Sequence, residues 1–410
     1  MESSPKFDEE YRSLKINGMN TSVQECPILS VIIPTYNRAE FLKRCLQTVL
    51  VSGIKNIEVL VADNDSHDHT LFMGCIGNKG TRSGNLSLQN SDLVISIGCR
   101  LSVSTTGHEY STFAREAKII VVDIDPEENK KNTVRIDHFI NADAGKFLKK
   151  LQKIKSPDSA EWLKKCRYWK EKYPTCLPEY AKDKGRINLY YFIDVLSKKM
   201  KSDSVVVGDA GSAVYVPPQC LRIKKGQRYI TSGCQAEMGY TIPACIGISV
   251  ARKKGEVIGI TGDGSFQLNI QELQTIVHHD LPIKIFVWNN NGYLSIRATQ
   301  TKFFEGRLMG ADPTSGVSFP SLRKIARAYG IKYFKASKSN KLADVIEEVM
   351  NYPKAVICEV MCLRDQQIIP TVSAYTKEDG SLVSKPIEDM YPFLDREEFI
   401  KQMLVKPVPE

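Results

Sequence analysis

The sequence predicts an α/β protein built from parallel-sheet layers with helices on both faces. Two observations carry this. Short apolar runs of strand length recur along the chain, each closing in a turn that bears Gly or Asp, and amphipathic stretches of helical spacing lie between them. Strands that alternate with helices are joined by crossovers, so they run parallel, and ligands gather where the C-terminal ends of the strands meet.

Residues 1–27 form a polar N-terminal tail. Residues 28–70 then read as strand, helix, strand: ILSVIIPTY is a buried strand, RAEFLKRCLQTVL has helical spacing, and IEVLVAD is a second strand closing in an acidic turn. Residues 71–155 add two strands, SDLVISIGCRL and AKIIVVDIDP, and a basic amphipathic helix from Lys146 to Lys155. Gly74, Gly77 and Gly80 are spaced for neither a P-loop nor a dinucleotide fingerprint, so that loop reads as a turn. Residues 156–186 read as a linking helix closed by Pro174 and Pro178, its Trp and Tyr side chains serving packing.

From 187 to 365 the alternation becomes regular. The helix LYYFIDVLSKKM precedes the strand SVVVGDAG, the helix start GYTIPACIGISVA, the strand EVIGITGDG, the helix NIQELQTIVHH and the strand IKIFVWNNNG. Residues 366–410 read as a C-terminal tail.

Composition sets the frame. With 410 residues, 42% of them hydrophobic and 25% charged, the chain has the make-up of a globular protein of two or three domains. No apolar run reaches the roughly 18 residues a membrane helix needs, and the N-terminus has no secretory pattern, so a cytoplasmic protein without a membrane partner is expected. The net charge of +9 is spread among acidic residues, which argues against a nucleic-acid partner. Eleven cysteines without metal-ligand spacing are expected as buried thiols.

The chemistry concentrates at two strand ends. Gly262-Asp263-Gly264-Ser265 closes one strand and Asn289-Asn290 closes the next, with Asp263 and Asn290 27 residues apart. Mg²⁺ takes about six oxygens and accepts few from protein when phosphates supply others. The pattern resembles the thiamine-diphosphate motif, and the resemblance implies that Asp263, Asn290 and the Gly292 carbonyl fill that set beside a diphosphate. Gly262 and Gly264 allow close backbone approach to a diphosphate, and Ser265 starts a helix whose N-terminus favours negative charge.

The residues around this motif resemble acetolactate synthases. The resemblance implies a thiamine-diphosphate-binding fold for 187–365, with thiamine diphosphate and Mg²⁺ as cofactors. It implies that Met238, in GCQAEMGYTIPA and 25 residues before Asp263, wedges under the cofactor, so that the 4′-amino group meets C2 and forms the ylid. Ser212 and Ala213, in GDAGSA, would touch the far side of the diphosphate. Upstream, GTRSGN, SIGCRL, the Thr106-Gly107 pair, VDIDP and NADA resemble the second half of that family's central domain. Where relatives hold FAD, Arg100, Asp123, Ile124, Asp143 and Ala144 correspond, but half a domain makes at most a partial site, and FAD is not expected. These residues read instead as strand ends and turn caps. The YLSIRATQ segment, FFEGRLMGADPTSGVSFP and the PIEDMYPFLDREEF tail are most similar to family members encoded among polysaccharide-biosynthesis genes.

Residues 28–70, through PTYNR and Asp63, Ser66, Asp68 and Thr70, resemble the start of family-2 glycosyltransferases, in which the acid at Asp63 meets the nucleotide base. The resemblance stops before that family's metal motif. The thiamine resemblance also implies a glutamate from a pyrimidine-binding domain of a neighbouring subunit, worth roughly 10² to 10⁴ in rate. No such glutamate is identifiable, since Glu9 and Glu10 lie in the polar tail. The implied reaction is decarboxylation of a 2-keto acid such as pyruvate, with ligation to a carbonyl acceptor, in a homodimer or with a complementing pyrimidine-domain subunit. The alternatives are a non-catalytic cofactor-binding remnant or fusion product and, further off, a nucleotide-sugar glycosyltransferase. A genuine rearrangement, a decayed gene and an assembly error all fit the fused appearance.

Overall fold

A computed structural model describes residues 71–151, 160–182, 185–233, 235–376 and 380–409, together with the strand backbones of 29–32 and 57–60. The PTYNR turn, Asp63, Ser66, Asp68, Thr70, Glu9 and Glu10 lie outside the described residues.

The first layer contains β1 (Leu29–Ile32), β2 (Ile57–Leu60), α1 (Arg82–Gln89), β3 (Leu93–Ile97), β4 (Lys118–Asp123), β5 (His138–Asn141), α2 (Ala144–Leu151) and α3 (Ala160–Lys172). Its five strands are all parallel, in the order β2-β1-β3-β4-β5. Strands from the two differently patterned stretches, 28–70 and 71–155, thus form one sheet, with Leu29 of β1 opposite Leu93 of β3. Val94, Ile119 and Val121 pack on α1 and α3, where Trp162 and Trp169 meet edge to face at 5.6 Å. Ile95, Ile97 and Val122 face Phe147, Leu148 and Leu151 of α2 on the other side.

The second layer runs α4 (Leu189–Lys199), β6 (Val205–Gly208), α5 (Ser212–Cys220), β7 (Arg228–Ile230), α6 (Thr241–Ala251), β8 (Val257–Gly262), a 3₁₀ helix (Ser265–Glu272), α7 (Leu273–His278), β9 (Ile283–Asn289), α8 (Leu294–Phe303), α9 (Leu322–Ala328), β10 (Lys332–Ala336), α10 (Leu342–Asn351) and β11 (Val356–Met361). Its six parallel strands are ordered β10-β11-β9-β8-β6-β7. The inner strands β6, β8, β9 and β11 are buried on both faces, as covered parallel sheets require. α4, α5 and α10 cover one face and α6, α7 and α9 the other. β7 pairs with β6 on one side, whereas the chain returns to lay β8 on the other, so the strand order reverses between β6 and β8. Such a reversal opens a crevice at the strand C-termini, and it is bordered by the GDAG and GDG turns.

The NIQELQTIVHH stretch, expected as one helix, is 3₁₀ up to Glu272 and α-helical over Leu273–His278, and within those helices only its first residue departs from helical geometry. Asn269 leaves helical geometry (φ −134°, ψ 35°), and its Nδ2 donates to Gly239 O at 2.9 Å instead of turning to solvent. That tertiary hydrogen bond separates the helix from the turn that begins at Ser265. The 74–80 loop is a turn, with Gly74 and Gly77 at φ +117° and +102°.

Residues 366–410 return across the first layer through β12 (Thr371–Val372), β13 (Ala374–Thr376), β14 (Leu382–Ser384), β15 (Met390–Tyr391) and α11 (Arg396–Gln402). Glu388 accepts from Gln89 and Arg115, Gln402 accepts from the Trp169 indole at 2.8 Å, and Asn90 accepts from Leu404 N. No helix among the described residues is long and apolar enough to cross a membrane, and no disulfide joins the eight described cysteines.

Candidate functional site

β9, β8 and β6 are adjacent and parallel, so the residues that follow them emerge along one edge of the sheet. Asp263 follows β8 and is 3% exposed. Its Oδ1 accepts from Gly264 N at 2.9 Å and its Oδ2 from Gly292 N at 3.1 Å, which ties the two turns together. Burial pushes its carboxyl up to about 6, against the opposing pull of the Gly292, Gly264 and Asn291 amides.

Asn290 is buried, and its Oδ1 is a buried acceptor without a hydrogen-bond partner. A buried carbonyl oxygen left unmade costs about 1–3 kcal/mol, so it is expected to meet a ligand. The preceding Asn289 serves the sheet instead, since its amide donates to Glu359 at 2.7 Å, and Glu359 also accepts from Tyr333. The two asparagines are therefore not equivalent. An anion stripped of water beside an unpaired amide oxygen is the donor set a hard divalent cation seeks, so these residues fit the metal that the motif implies. Among the described residues no cluster of three His, Cys, Asp or Glu side chains competes with it.

Gly292 has φ +139°, and a Cβ there would lie 2.2 Å from Ala311 O, so no other residue fits. Gly264 is constrained differently from the expectation of diphosphate approach, since a Cβ would meet the Tyr293 ring at 2.2 Å. At Gly262 nothing lies within 4 Å of that point, leaving its backbone open to the crevice. Ser265 starts the 3₁₀ helix and is buried. Ser212 and Ala213 open α5 behind Gly211, and the Ala213 carbonyl accepts from the Tyr229 hydroxyl. Met238 is 37% exposed on the loop before α6.

Two buried residues that the sequence did not single out organise this constellation. Asp209, in the same GDAG turn as Ser212, accepts from Gly239 N at 3.0 Å, Thr241 N at 3.2 Å and the Thr261 hydroxyl at 3.0 Å. It thereby fixes the Met238 loop to β8. An acid directly after a buried strand was the available signal. Arg297 on α8 is 2% exposed; it donates to Asn290 O at 3.3 Å and Asn291 O at 3.4 Å and pairs with Asp365 at 2.9 Å. Nothing in YLSIRATQ marks that arginine from its exposed-looking neighbours.

The flavin-corresponding residues take local roles. Asp123 accepts from Asp125 N and Asp143 from Lys146 N, Arg100 pairs with Glu128, Ala144 opens α2, and Ile124 is exposed.

Comparison with known proteins identifies three regions. Residues 209–360 match the C-terminal TPP binding domain of thiamine pyrophosphate enzymes, residues 63–151 match the central domain of the same enzymes, and residues 30–73 match glycosyl transferase family 2. The chain is 30% identical over 314 residues to the acetolactate synthase large subunit of Cyanidium caldarium, covering 74% of this chain and 52% of the relative. It is 31% identical over 332 residues to that of Corynebacterium glutamicum (79% and 52%), and 30% identical over 363 residues to the acetolactate synthase of Mycobacterium avium (86% and 58%). The chain spans about half the length of the curated relatives it matches.

Proposed function

Since this chain belongs to the acetolactate synthase-like thiamine pyrophosphate enzymes through its central and C-terminal domains, we propose that it holds thiamine diphosphate with Mg²⁺ at the edge formed by β6, β8 and β9, for reaction with a 2-keto acid such as pyruvate. The observation that carries this is the pairing of a desolvated Asp263 carboxylate with the unpartnered Asn290 Oδ1. Asp263, Asn290 and the Gly292 carbonyl would hold the metal. Gly262, Gly264, Ser265, Ser212 and Ala213 would border the diphosphate, and Met238 would support the thiazolium. When bound, the cofactor supplies an electron sink for decarboxylation and for ligation of the acyl unit to a carbonyl acceptor, a second keto acid or a keto-sugar nucleotide.

The protein's own contribution is positioning. Asp209 fixes the Met238 loop, Arg297 fixes the Asn290–Asn291 backbone, and the parallel strands hold both turns at one edge, so little reorganisation accompanies binding. The proton-relay glutamate would come from a pyrimidine-binding domain, in a second copy of the chain or a complementing subunit. Without one, the chain would bind cofactor and turn nothing over.

Isothermal titration with thiamine diphosphate and Mg²⁺, run beside a pyruvate-consumption assay, tests this. Binding that Asp263→Ala abolishes supports the assignment, whereas absence of binding in the native chain sinks it. Turnover that appears only when a separate pyrimidine domain is added would identify the missing half.

A further inference from the structure

The cavity between the two layers holds a pair of thiols that the cofactor site does not use. It measures about 390 Å³ and is lined by Gly74, Thr81, Tyr173, Cys176, Cys220 and Arg222, among others. Cys176 is half-buried in the segment after α3, and Cys220 is the buried last residue of α5. Both side chains line this cavity and sit in one apolar cluster, and the Cys220 thiol donates to the Tyr190 carbonyl at 3.5 Å.

We propose that Cys176 and Cys220 form a thiol–disulfide exchange site that reacts with low-molecular-weight disulfides of the glutathione class. Cys176 is the attacking group. It is the half-buried one of the two and its interaction with Cys220 lowers its thiol below the usual range, whereas Cys220 is raised, and burial raises Cys245, Cys358 and Cys362. Attack by the Cys176 thiolate on one sulfur of the small disulfide forms a protein–small-thiol bond and expels one thiolate. The Cys220 thiolate, its proton passed to solvent, then attacks the Cys176 sulfur, closes the internal bridge and expels the second thiolate. The two protein thiols are oxidised as the one small disulfide is reduced to two thiols. Cavity access admits the reagent to Cys176, and Cys220, which lines the same cavity, supplies the resolving step. The bridge would staple the segment after α3 to the far end of the helix that opens with Ser212 and Ala213. None of this depends on the thiamine reading, since the readout is chemical.

The test is equilibration of the full chain with mixtures of reduced and oxidised glutathione, followed by alkylation and peptide mass mapping. The expected product is a Cys176–Cys220 peptide lighter by two hydrogens, reversed by dithiothreitol, with the other described cysteines alkylated. Cys220→Ser is expected to stop at a glutathione adduct on Cys176. Cys176→Ser is expected to form neither bridge nor adduct at Cys220 while its circular dichroism stays native. Absence of the Cys176–Cys220 peptide at every glutathione ratio, or a Cys220→Ser chain that takes no adduct at Cys176, would overturn the proposal.

Discussion

At the scale of single residues, Asp263 and Asn290 divide between them what a cation site demands and what folding tolerates. The Asp263 carboxyl titrates near 6 in the folded chain and at 3.8 unfolded. The folded state therefore binds more protons between these values, and the stability of the metal-free protein falls as pH rises through them. That loss is on the order of 3 kcal/mol at most, at about 1.36 kcal/mol per unit. Denaturant unfolding without metal is expected to show this slope in the native chain and not in Asp263→Ala; equal slopes in both would refute it. Cation binding needs the charged form, so Mg²⁺-dependent cofactor affinity is expected to weaken below about pH 6. Asn290→Ala is a sharper probe, because the Oδ1 it removes bonds nothing. It is expected to leave stability within about 0.5–1 kcal/mol of native while lowering cofactor affinity tenfold or more by titration calorimetry.

Among the elements, the crevice depends on turns that are tied to each other more than on the helices they start. Asp209→Ala leaves Gly239 N, Thr241 N and the Thr261 hydroxyl without their acceptor. It is expected to cost about 1–3 kcal/mol and to loosen the Met238 loop, which proteolysis near residue 238 would report. Gly264→Ala drives a Cβ into the Tyr293 ring and is expected to cost about 1–3 kcal/mol, with Tyr293→Ala relieving part of it in the double variant. At this scale the sequence was largely legible. β8 and β9 end where the GDG and NN motifs indicated, because a buried strand must stop where Gly and Asn turn the chain. The break at Asn269 was not legible, since its cause is a carbonyl 30 residues away.

The whole molecule is held by contacts that link distant segments. β1 lies between β2 and β3, so the strand from the glycosyltransferase-like stretch shields the edge of the central-domain strand. A chain starting at residue 71 would expose the β3 backbone and is expected to melt lower and aggregate, as light scattering would show; unchanged melting would refute this role. The C-terminal segment acts similarly on the face covered by α1 and α3. Removing residues 386–410 strips the partners of Gln89, Asn90 and Trp169 and uncovers the cluster around Leu86 and Met73, with the same expected direction.

What the sequence by itself determined is local: where apolar strands end, which turns carry Asp263, Asn290 and Gly292, and hence the family and the candidate cofactor. Spacing of a few residues along one strand and its turn is enough for that, because strand geometry converts it directly into position at a sheet edge. Only the tertiary structure decided that Asp209 anchors the Met238 loop, that Arg297 clamps the second turn, that Asn289 serves Glu359 while Asn290 stays open, and that two dissimilar stretches share one sheet. All but one of these depend on pairings across a long sequence separation, and Arg297, close in sequence to the turn it holds, is itself fixed by Asp365 68 residues away; a hydrogen bond made at such a distance leaves no period in the chain to read.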